Sequence, residues 1–404
     1  MKLKTIDNLI IFLMFFLLPV DMVNGIMLKN NISLPITIGQ LFKIVILLFI
    51  CIRLLYKPHK LFLALFVFSL MLLPSIIQSN WEFILYDTIK ISKYLAPFFC
   101  FLFFVELLKD NDPIYIKRLF KLVKYSYFIL AANILVKYLG LGYPMYQFGD
   151  IGSKGFFYAG NEISALFLIL SSILGFKLWK DNHKMKYFLF FIFNLFIGIT
   201  ISSKTGMLGV FLVFSLIPLK GSLARFNIKR LKIIFTLIIM LLPIILYLSW
   251  KFIENSVVFV RLEYFWKKLD FWTFVLSHRN EFFNKALLSY KQQYNFFEKI
   301  IGVGQYKYKY FNNQNIIEID IIDIFFAYGL IGVFLFFAYI VYLFAQSRKF
   351  IKAQLYPFSN YVLLMLSVLL LISTTAGHVF SSGMAAVFIG LLFSLMFIKK
   401  NENI

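Results

Sequence analysis

The sequence is short of charge, and of acidic residues in particular. Only 15% of its 404 residues are charged, Asp and Glu number 19 against 41 Lys and Arg, and 61% of the residues are hydrophobic. A water-soluble protein needs more polar surface than this composition supplies. The shortage of charge therefore excludes a soluble globular protein. The net charge of +22 would suggest nucleic acid in a soluble protein, but the cations fall mainly between apolar runs, so we expect no nucleic acid partner.

The chain also lacks the motifs of common soluble enzymes. It has no Walker loop, no dinucleotide fingerprint after a strand, no His-Glu-x-x-His and no paired Cys-x-x-Cys. The two cysteines, Cys51 and Cys100, lie inside apolar runs, where they pack as small hydrophobes. These absences exclude the usual nucleotide and zinc sites, and we expect neither a cofactor nor a metal.

What the chain has in abundance is apolar runs of about the length that crosses a bilayer. Twelve are visible: Leu9–Met27, Ile36–Leu55, Leu61–Ile77, Ile84–Leu108, Leu119–Leu141, Tyr158–Leu178, Tyr187–Ser202, Thr205–Leu219, Leu231–Trp250, Ile321–Phe344, Asn360–Ala376 and Val379–Ile398. Helices satisfy the backbone amides of such segments in lipid. The sequence thus predicts an all-α polytopic membrane protein with about 12 transmembrane helices.

Positive charge predicts the orientation of these helices. Segments assigned to the cytoplasm hold 24 Lys and Arg, whereas the short outer loops hold only Lys29, Lys154 and Lys204. Because Lys and Arg concentrate in cytoplasmic loops, both termini are predicted inside. The chain then divides into helices 1–9 (residues 1–250), a large extracytoplasmic loop with amphipathic helices (251–320) and helices 10–12 (321–404).

The long loop carries Ser277–Glu281, which contains His278 and Arg279. An Arg presents a fixed fork of donors that suits phosphate oxygens, and it keeps its charge. The alternative is a helix cap at Asn280 beside a surface pair of Arg279 and Glu281.

Three carboxylates precede or begin the apolar run from Ile321: Glu318, Asp320 and Asp323. Asp320 and Asp323 are three residues apart and share one face of a helix. A carboxylate in a membrane helix costs about 2.5–3.5 kcal/mol near its centre and so usually faces a polar cavity. Such a group suits a general base. A metal site is the weaker alternative, since Glu318 and Asp320 form only half of an acidic metal motif.

Further polar residues lie at predicted outer turns. Lys204 departs from the general charge rule, which suggests an anionic partner, although a lysine extending to the membrane surface is an equal alternative. His378, between the last two helices, is either catalytic or a hydrogen-bonded structural residue. Asn161 and Glu162 begin the sixth helix. These residues come from distant parts of the chain, yet all are predicted on one side of the membrane, where cations for a diphosphate and carboxylates for a proton would meet.

Four short motifs follow one another in a recognisable order. They are Gly155–Glu162, Ser202–Gly206, Leu276–Glu281 with Ile300–Gly304 downstream, and Glu318–Asp320 leading into Gly329–Gly332. This order resembles the O-antigen polymerase and O-antigen ligase superfamily, bacterial membrane enzymes that use undecaprenyl-diphosphate-linked sugars. Ser202–Gly206 is similar to that family's Ser-Arg turn, with Lys204 in place of Arg. Since Lys loses the bidentate geometry of Arg, Arg279 is the better candidate for phosphate contact.

The resemblance implies a Wzy-type polysaccharide polymerase. Ligases of the superfamily carry a His-Asn pair, with the His thought catalytic, where this chain has Glu318–Asp320, so a polymerase is favoured over a ligase. Such a polymerase would join repeat units of capsule, O-antigen (lipopolysaccharide) or exopolysaccharide at the outer face of the bacterial cytoplasmic membrane. Arg279, with Lys204 and Arg261, would stabilise the diphosphate, and Glu318 or Asp320 would take the proton.

The same resemblance implies the partners. They are an undecaprenyl-diphosphate-linked oligosaccharide, membrane lipid, and a flippase and chain-length regulator of the same pathway. Two alternatives stay open: a ligase, and a transporter or lipid flippase. Transporters usually have pseudo-symmetric halves and a site at the membrane midplane, whereas the polar residues of this chain are predicted at one face.

Overall fold

The computed structural model describes residues 3–32, 34, 36–146, 150–219, 263–264, 266–375 and 377–400. The ninth predicted transmembrane run, Leu231–Trp250, and Arg261 lie outside these residues. The described part is built from helices, joined by loops that carry two isolated β-bridges.

The helices of the described residues are numbered in chain order. They are α1 (Leu3–Met14), α2 (Leu17–Lys29), α3 (Ile38–Leu54), α4 (Pro58–Ile77), α5 (Trp81–Leu108), α6 (Pro113–Leu135), α7 (Gly160–Lys180), α8 (Lys184–Ile201), α9 (Lys204–Leu216), α10 (Phe271–Leu276), α11 (Arg279–Gln293), α12 (Phe296–Ile301), α13 (Gly304–Phe311), α14 (Asp320–Ala353), α15 (Ser359–Thr375) and α16 (Ala386–Ser394). Short 3-10 helices, Val136–Leu139 and Leu395–Phe397, extend α6 and α16.

Eleven of the twelve predicted apolar runs overlap these helices, which confirms an all-α polytopic architecture. Among the described residues, six helices are long and apolar enough to cross a membrane, or seven if the bent pair α1–α2 forms one span. Other apolar helices, such as α15, are shorter. The predicted number of 12 crossings is therefore not confirmed.

The first predicted run is not one straight helix. It breaks between Met14 and Leu17, and α1 and α2 meet at an angle of 41°. The cause is Pro19, which has no backbone N–H to donate to the carbonyl of Phe15 and whose ring clashes with that carbonyl. At the break, Phe15 and Phe16 donate instead to the carbonyls of Phe12 and Leu13.

The centre of the bundle is α16, whose residues are all buried. The long helix α5 packs along it. Gly390 of α16 lies against Cys100 and Pro97 of α5, so closely that a Cβ at this glycine would meet the Cβ of Cys100 at 2.6 Å. This close packing fixes α16 relative to α5, and Lys93 of α5 and the turn before α16 contribute to the polar region described below.

The helices α11–α13 of the long segment pack onto the bundle through aromatic side chains. Helical spacing in the sequence predicts one apolar stripe, made of Phe283, Leu287, Tyr290, Tyr294 and Phe297. This prediction is partly right: the rings of Phe283 and Tyr290 contact Phe326 of α14, and Tyr294 donates to the carbonyl of the same residue. Phe297, predicted in this stripe, instead falls in α12 and is 72% exposed. The chain leaves helical geometry at Tyr294, and Asn295 caps α12, so the helical spacing does not extend to Phe297.

A buried carboxylate fastens the second half of this segment to the bundle. Asp87 of α5 accepts hydrogen bonds from Ser75 of α4 and from the backbone N–H groups of Gln305 (3.1 Å) and Tyr306 (2.9 Å). Gly304 has a φ of +78°, and a Cβ there would lie 2.1 Å from Asp87 Oδ2. The last residue of the Ile300–Gly304 motif is thus a point of close approach to a buried charge.

Candidate active site

Three charged side chains from separate parts of the chain meet where α11 and α14 begin and α15 ends. Arg279 Nη2 donates to Glu318 Oε2 at 3.1 Å, and His378 Nε2 lies 3.5 Å from Glu318 Oε1. Glu318 therefore stands between two cationic groups. All three residues are sequence predictions, and the structure brings them together.

The backbone at this cluster is held in an uncommon conformation. Ser277 (φ +53°), His278 (+67°), Glu318 (+65°) and His378 (+52°) all lie in the left-handed region. For residues other than glycine this region is strained, and such strain persists only where surrounding contacts enforce it. Four such residues at one place are typical of a functional site.

Gly377 allows His378 to approach Glu318. Its φ is +65°, and a Cβ at this position would lie 1.4 Å from the carbonyl oxygen of Glu318. Only glycine fits against this carbonyl. The two chain segments therefore meet through their backbones at Gly377 and Glu318. This contact brings the imidazole of the next residue, His378, close to the Glu318 side chain.

Asp320 organises the turn that carries His378. Its carboxylate accepts from the N–H groups of Val379 and Phe380 (both 2.9 Å), from the N–H and hydroxyl of Ser381 (3.3 and 2.6 Å) and from the hydroxyl of Ser373 (2.9 Å). Asp320 is 1% exposed. With five donors on two oxygens, its buried charge is satisfied by the turn that it holds. Ser381 also lies 3.2 Å from His378 Nδ1 and so orients the ring.

Asp323 holds the backbone on the other side of the cluster. It accepts from the N–H groups of Ile317 (3.0 Å) and Glu318 (2.9 Å) and from the hydroxyl of the buried Tyr308 (2.8 Å). The three predicted carboxylates therefore differ in setting. Glu318 is 38% exposed in its side chain, whereas both aspartates are buried and bonded to backbone.

Glu162 lies at the far end of the same turn. It accepts from Lys93 of α5 at 3.2 Å and from Ser382 Oγ and Met384 N at 3.0 Å each. Lys93 was not predicted, because nothing in its local sequence shows that a residue 69 positions later provides its counter-ion. Ser381, Ser382 and Tyr308 were missed for the same reason.

The structure does not bring every predicted residue into the cluster. His278 faces Glu281, with Nδ1 3.2 Å from Oε1, and both are exposed. Lys204 begins α9 after the N-cap Ser203, but the described part of the chain does not include its side chain or that of Asn161. Arg261 lies outside it altogether.

Charge pairing sets the protonation of the two groups that face each other. Burial by itself would raise the pKa of Glu318, but the hydrogen bond and charge of His378, together with Arg279, hold it below its ordinary value. Burial would lower the pKa of His378, but Glu318, with Asp320 and Glu162, raises it above its ordinary value. Both shifts favour a carboxylate next to an imidazolium at neutral pH.

Two buried polar atoms of the site have no hydrogen-bond partner in the described residues, Arg279 Nε and Asn280 Oδ1. Buried polar atoms are normally paired, so these two are available to a ligand. Among the same residues, no group of three or more His, Cys, Asp or Glu side chains is arranged to hold a metal ion. The arrangement offers cations for an anionic group and a carboxylate for a proton.

The helices define a multi-pass membrane protein, and this polar cluster is its candidate site. Residues 263–403 match the family model of the O-antigen ligase like membrane protein. This match places that part of the chain in the O-antigen ligase/polymerase superfamily, as the sequence motifs predicted, and it contains Arg279, Glu318 and His378. It suggests a membrane protein that processes glycans by glycosyl transfer. Comparison with curated proteins and with solved structures gives no match.

Proposed function

We propose that the protein is a polysaccharide repeat-unit polymerase that acts on undecaprenyl-diphosphate-linked oligosaccharides at the outer face of the bacterial cytoplasmic membrane. The observation that carries this proposal is the cluster of Arg279, Glu318 and His378, in which a partly exposed carboxylate lies between two cations. A sugar diphosphate needs both kinds of group. The family match over residues 263–403 supports the same class of substrate.

Arg279 is the residue proposed to bind the diphosphate. Its side chain is 12% exposed, Nη2 donates to Glu318 and Nη1 to the carbonyl of Leu276, and Nε has no partner among the described residues. A guanidinium presents several donors in a plane that matches phosphate oxygens. His378, as an imidazolium, adds a second positive charge where negative charge develops, which is the electrostatic contribution that usually dominates catalysis. Lys204 and Arg261 remain further candidates.

Glu318 is the proposed proton acceptor. In the reaction, a hydroxyl oxygen of the acceptor unit bonds to the anomeric carbon of the growing chain. The bond from that carbon to the diphosphate breaks with its electron pair, and the hydroxyl proton passes to Glu318. Asp320, the other candidate, has both oxygens occupied by the turn from Val379 to Ser381. We therefore assign Asp320 and Asp323 a positioning role.

A ligase is the second candidate function. Ligases of the superfamily carry a His-Asn pair where this chain has Glu318–Asp320, and here His378 lies 3.5 Å from Glu318 although it comes from a different segment. A ligase would transfer finished glycan to another acceptor by the same displacement. The two functions differ in which hydroxyl attacks.

A chain-length ladder of surface glycan separates the candidates. Loss of a polymerase leaves single repeat units on the normal acceptor, loss of a ligase leaves long glycan on the carrier lipid, and loss of a flippase abolishes surface units. We expect Arg279→Ala to reduce the product to single units, and Arg279→Lys to restore part of it, because charge is kept and the planar fork is lost.

Arg348→Ala is the matched control, since Arg348 is exposed at the distant end of α14. It should leave the ladder unchanged. Membrane insertion of each variant is checked by immunoblotting of isolated membranes. Polymer of normal length in Arg279→Ala would refute the role given to this residue, and long glycan on the carrier lipid would instead favour the ligase.

A further inference from the structure

A cavity of about 270 Å³ lies between the N-terminal helices α2 and α3 and the helices α5, α7 and α16. The turn formed by residues 377–385 is common to this cavity and to the candidate active site. His378 faces Glu318 near its start, whereas Gly383 and Met384 line the cavity near its end. The cavity is thus next to the proposed reaction centre but has its own lining residues.

The charges that line the cavity are already paired. Lys43 Nζ lies 2.7 Å from Asp21 Oδ1, and Lys93 Nζ lies 3.2 Å from Glu162 Oε1. Two cations and two carboxylates leave no net charge. An anionic group such as a diphosphate would have to compete with both carboxylates, so this cavity is not suited to it.

One carboxylate oxygen in the cavity has no partner. Asp21 is 7% exposed, and its Oδ2 receives no hydrogen bond from the described residues. Nearby, Asn24 Oδ1 accepts from Gly39 N at 3.4 Å, and Asn24 Nδ2 finds no acceptor among these residues. A buried carboxylate oxygen without a donor is costly. An acceptor beside an amide donor is a pair that a hydroxyl group satisfies from both sides.

Most of the cavity lining is apolar, with Leu17, Ile46 and Val387 among its residues. Small-molecule sites combine such an apolar surface with a few placed polar groups, in volumes of roughly 300–1,000 Å³. The volume here, about 270 Å³, lies just below that range and suits a single ring rather than an oligosaccharide.

We infer that this cavity binds one uncharged sugar ring of the acceptor saccharide, other than the ring whose hydroxyl attacks at Glu318. The identity of the sugar as part of an acceptor rests on the proposed function. Asp21 and Asn24 would bond its hydroxyls, and the apolar lining would contact its C–H face or a methyl or acetyl substituent. The shared turn would couple the filled cavity to the position of His378.

Binding is tested with the purified full-length protein and a panel of methyl glycosides of hexoses, N-acetylhexosamines and 6-deoxyhexoses. A ligand that binds only the folded protein raises its Tm as its concentration increases. At least one glycoside is expected to do so. Asp21→Asn should weaken its apparent affinity about 10-fold or more, because a hydrogen bond to a charged acceptor is lost.

Since Asp21→Asn also removes the counter-ion of Lys43, a second variant keeps that ion pair. Ser92→Phe fills the cavity from α5 and should abolish the rise in Tm. Ser69→Phe on the exposed face of α4 is its matched control, because both serine hydroxyls donate to the carbonyl four residues earlier. Ser69→Phe should keep the response of the native protein.

Three results would overturn the assignment. The first is that no glycoside raises the Tm, and the second is that the rise persists in both Asp21→Asn and Ser92→Phe. The third is an equal rise with glycerol, which would indicate a general effect of polyols. Failure here is distinct from failure of the proposed function. If Arg279→Ala leaves polymer length unchanged while glycosides still bind through Asp21, the reaction assignment falls and the sugar site stands.

Discussion

The contact between Gly377 and Glu318 provides a sharp test of the site. Replacement of Gly377 by Ala adds one carbon, which the structure places 1.4 Å from the carbonyl oxygen of Glu318. An atom at 1.4 Å must retreat to the 3.4 Å of an ordinary contact, a movement of about 2 Å. The turn that carries His378 or the segment that carries Glu318 has to make this movement.

The effect on rate follows from the geometry of catalysis. A misplacement of about 1 Å in a reacting group can cost about 100-fold. We therefore expect Gly377→Ala to lower the polymerisation rate by at least about 100-fold. The measurement is the initial rate of chain growth on purified lipid-linked repeat units, accompanied by the chain-length ladder in cells.

Gly140→Ala separates this contact from backbone strain. Gly140 has a φ of +73°, close to the +65° of Gly377, but nothing lies within 4 Å of its Cβ position. An alanine in the left-handed region costs about 1–2 kcal/mol at either position. Gly140→Ala should therefore lose some stability and keep its rate. Equal rates in the two variants would refute the claim that the Gly377 contact positions the reacting groups.

Two further predictions concern the groups around this contact. Asp320→Asn replaces one acceptor oxygen with a donor that faces N–H or O–H groups such as Val379 N or Ser381 Oγ. At least two bonds are lost, so we expect a destabilisation of about 2–4 kcal/mol in thermal unfolding of the purified protein; an unchanged Tm would contradict the role of Asp320. The rate should depend on pH in a bell shape: it falls on the acid side as Glu318 gains a proton, at a pH lower than for an ordinary glutamate, because the pKa of Glu318 is lowered. It falls on the alkaline side as His378 loses a proton, at a pH higher than for an ordinary histidine, because the pKa of His378 is raised. His378→Gln should remove the alkaline limb, and an identical alkaline limb in this variant would exclude His378 as its source.

The helices of this protein follow from its sequence more fully than their bends do. In a membrane, every backbone amide must be satisfied within the protein, and helices are the main structure that does so. Helices such as α5 can therefore be predicted from the length of their apolar runs. The break before α2 also follows from the sequence, because Pro19 has no backbone N–H. A search for apolar runs does not detect it, since proline does not interrupt the hydrophobicity of the run. The kink in α14, where Gly329 has φ +61° and ψ −159°, likewise depends on the segment packed against it.

The residues of the site could be predicted from the sequence, but the separate role of each carboxylate could not. Arg279, Glu318 and His378 were found because charged or titratable residues at predicted outer turns of a membrane protein are few. From the sequence alone, Glu318 and Asp320 were equivalent candidates for the proton acceptor. Only the folded chain shows that donors from a turn about 60 residues later occupy Asp320, while Glu318 keeps an exposed edge.

The attachment of the long segment through Asp87 has a practical consequence for mapping topology. An epitope inserted at Gln305 or Tyr306 would separate backbone amides from the buried carboxylate that they satisfy, and it would report on a damaged protein. Residues 291–293, at the end of α11, are exposed. They precede α12 in the sequence, whereas Gln305 and Tyr306 follow it. A tag placed there would show which compartment this segment occupies while the fastening remains intact.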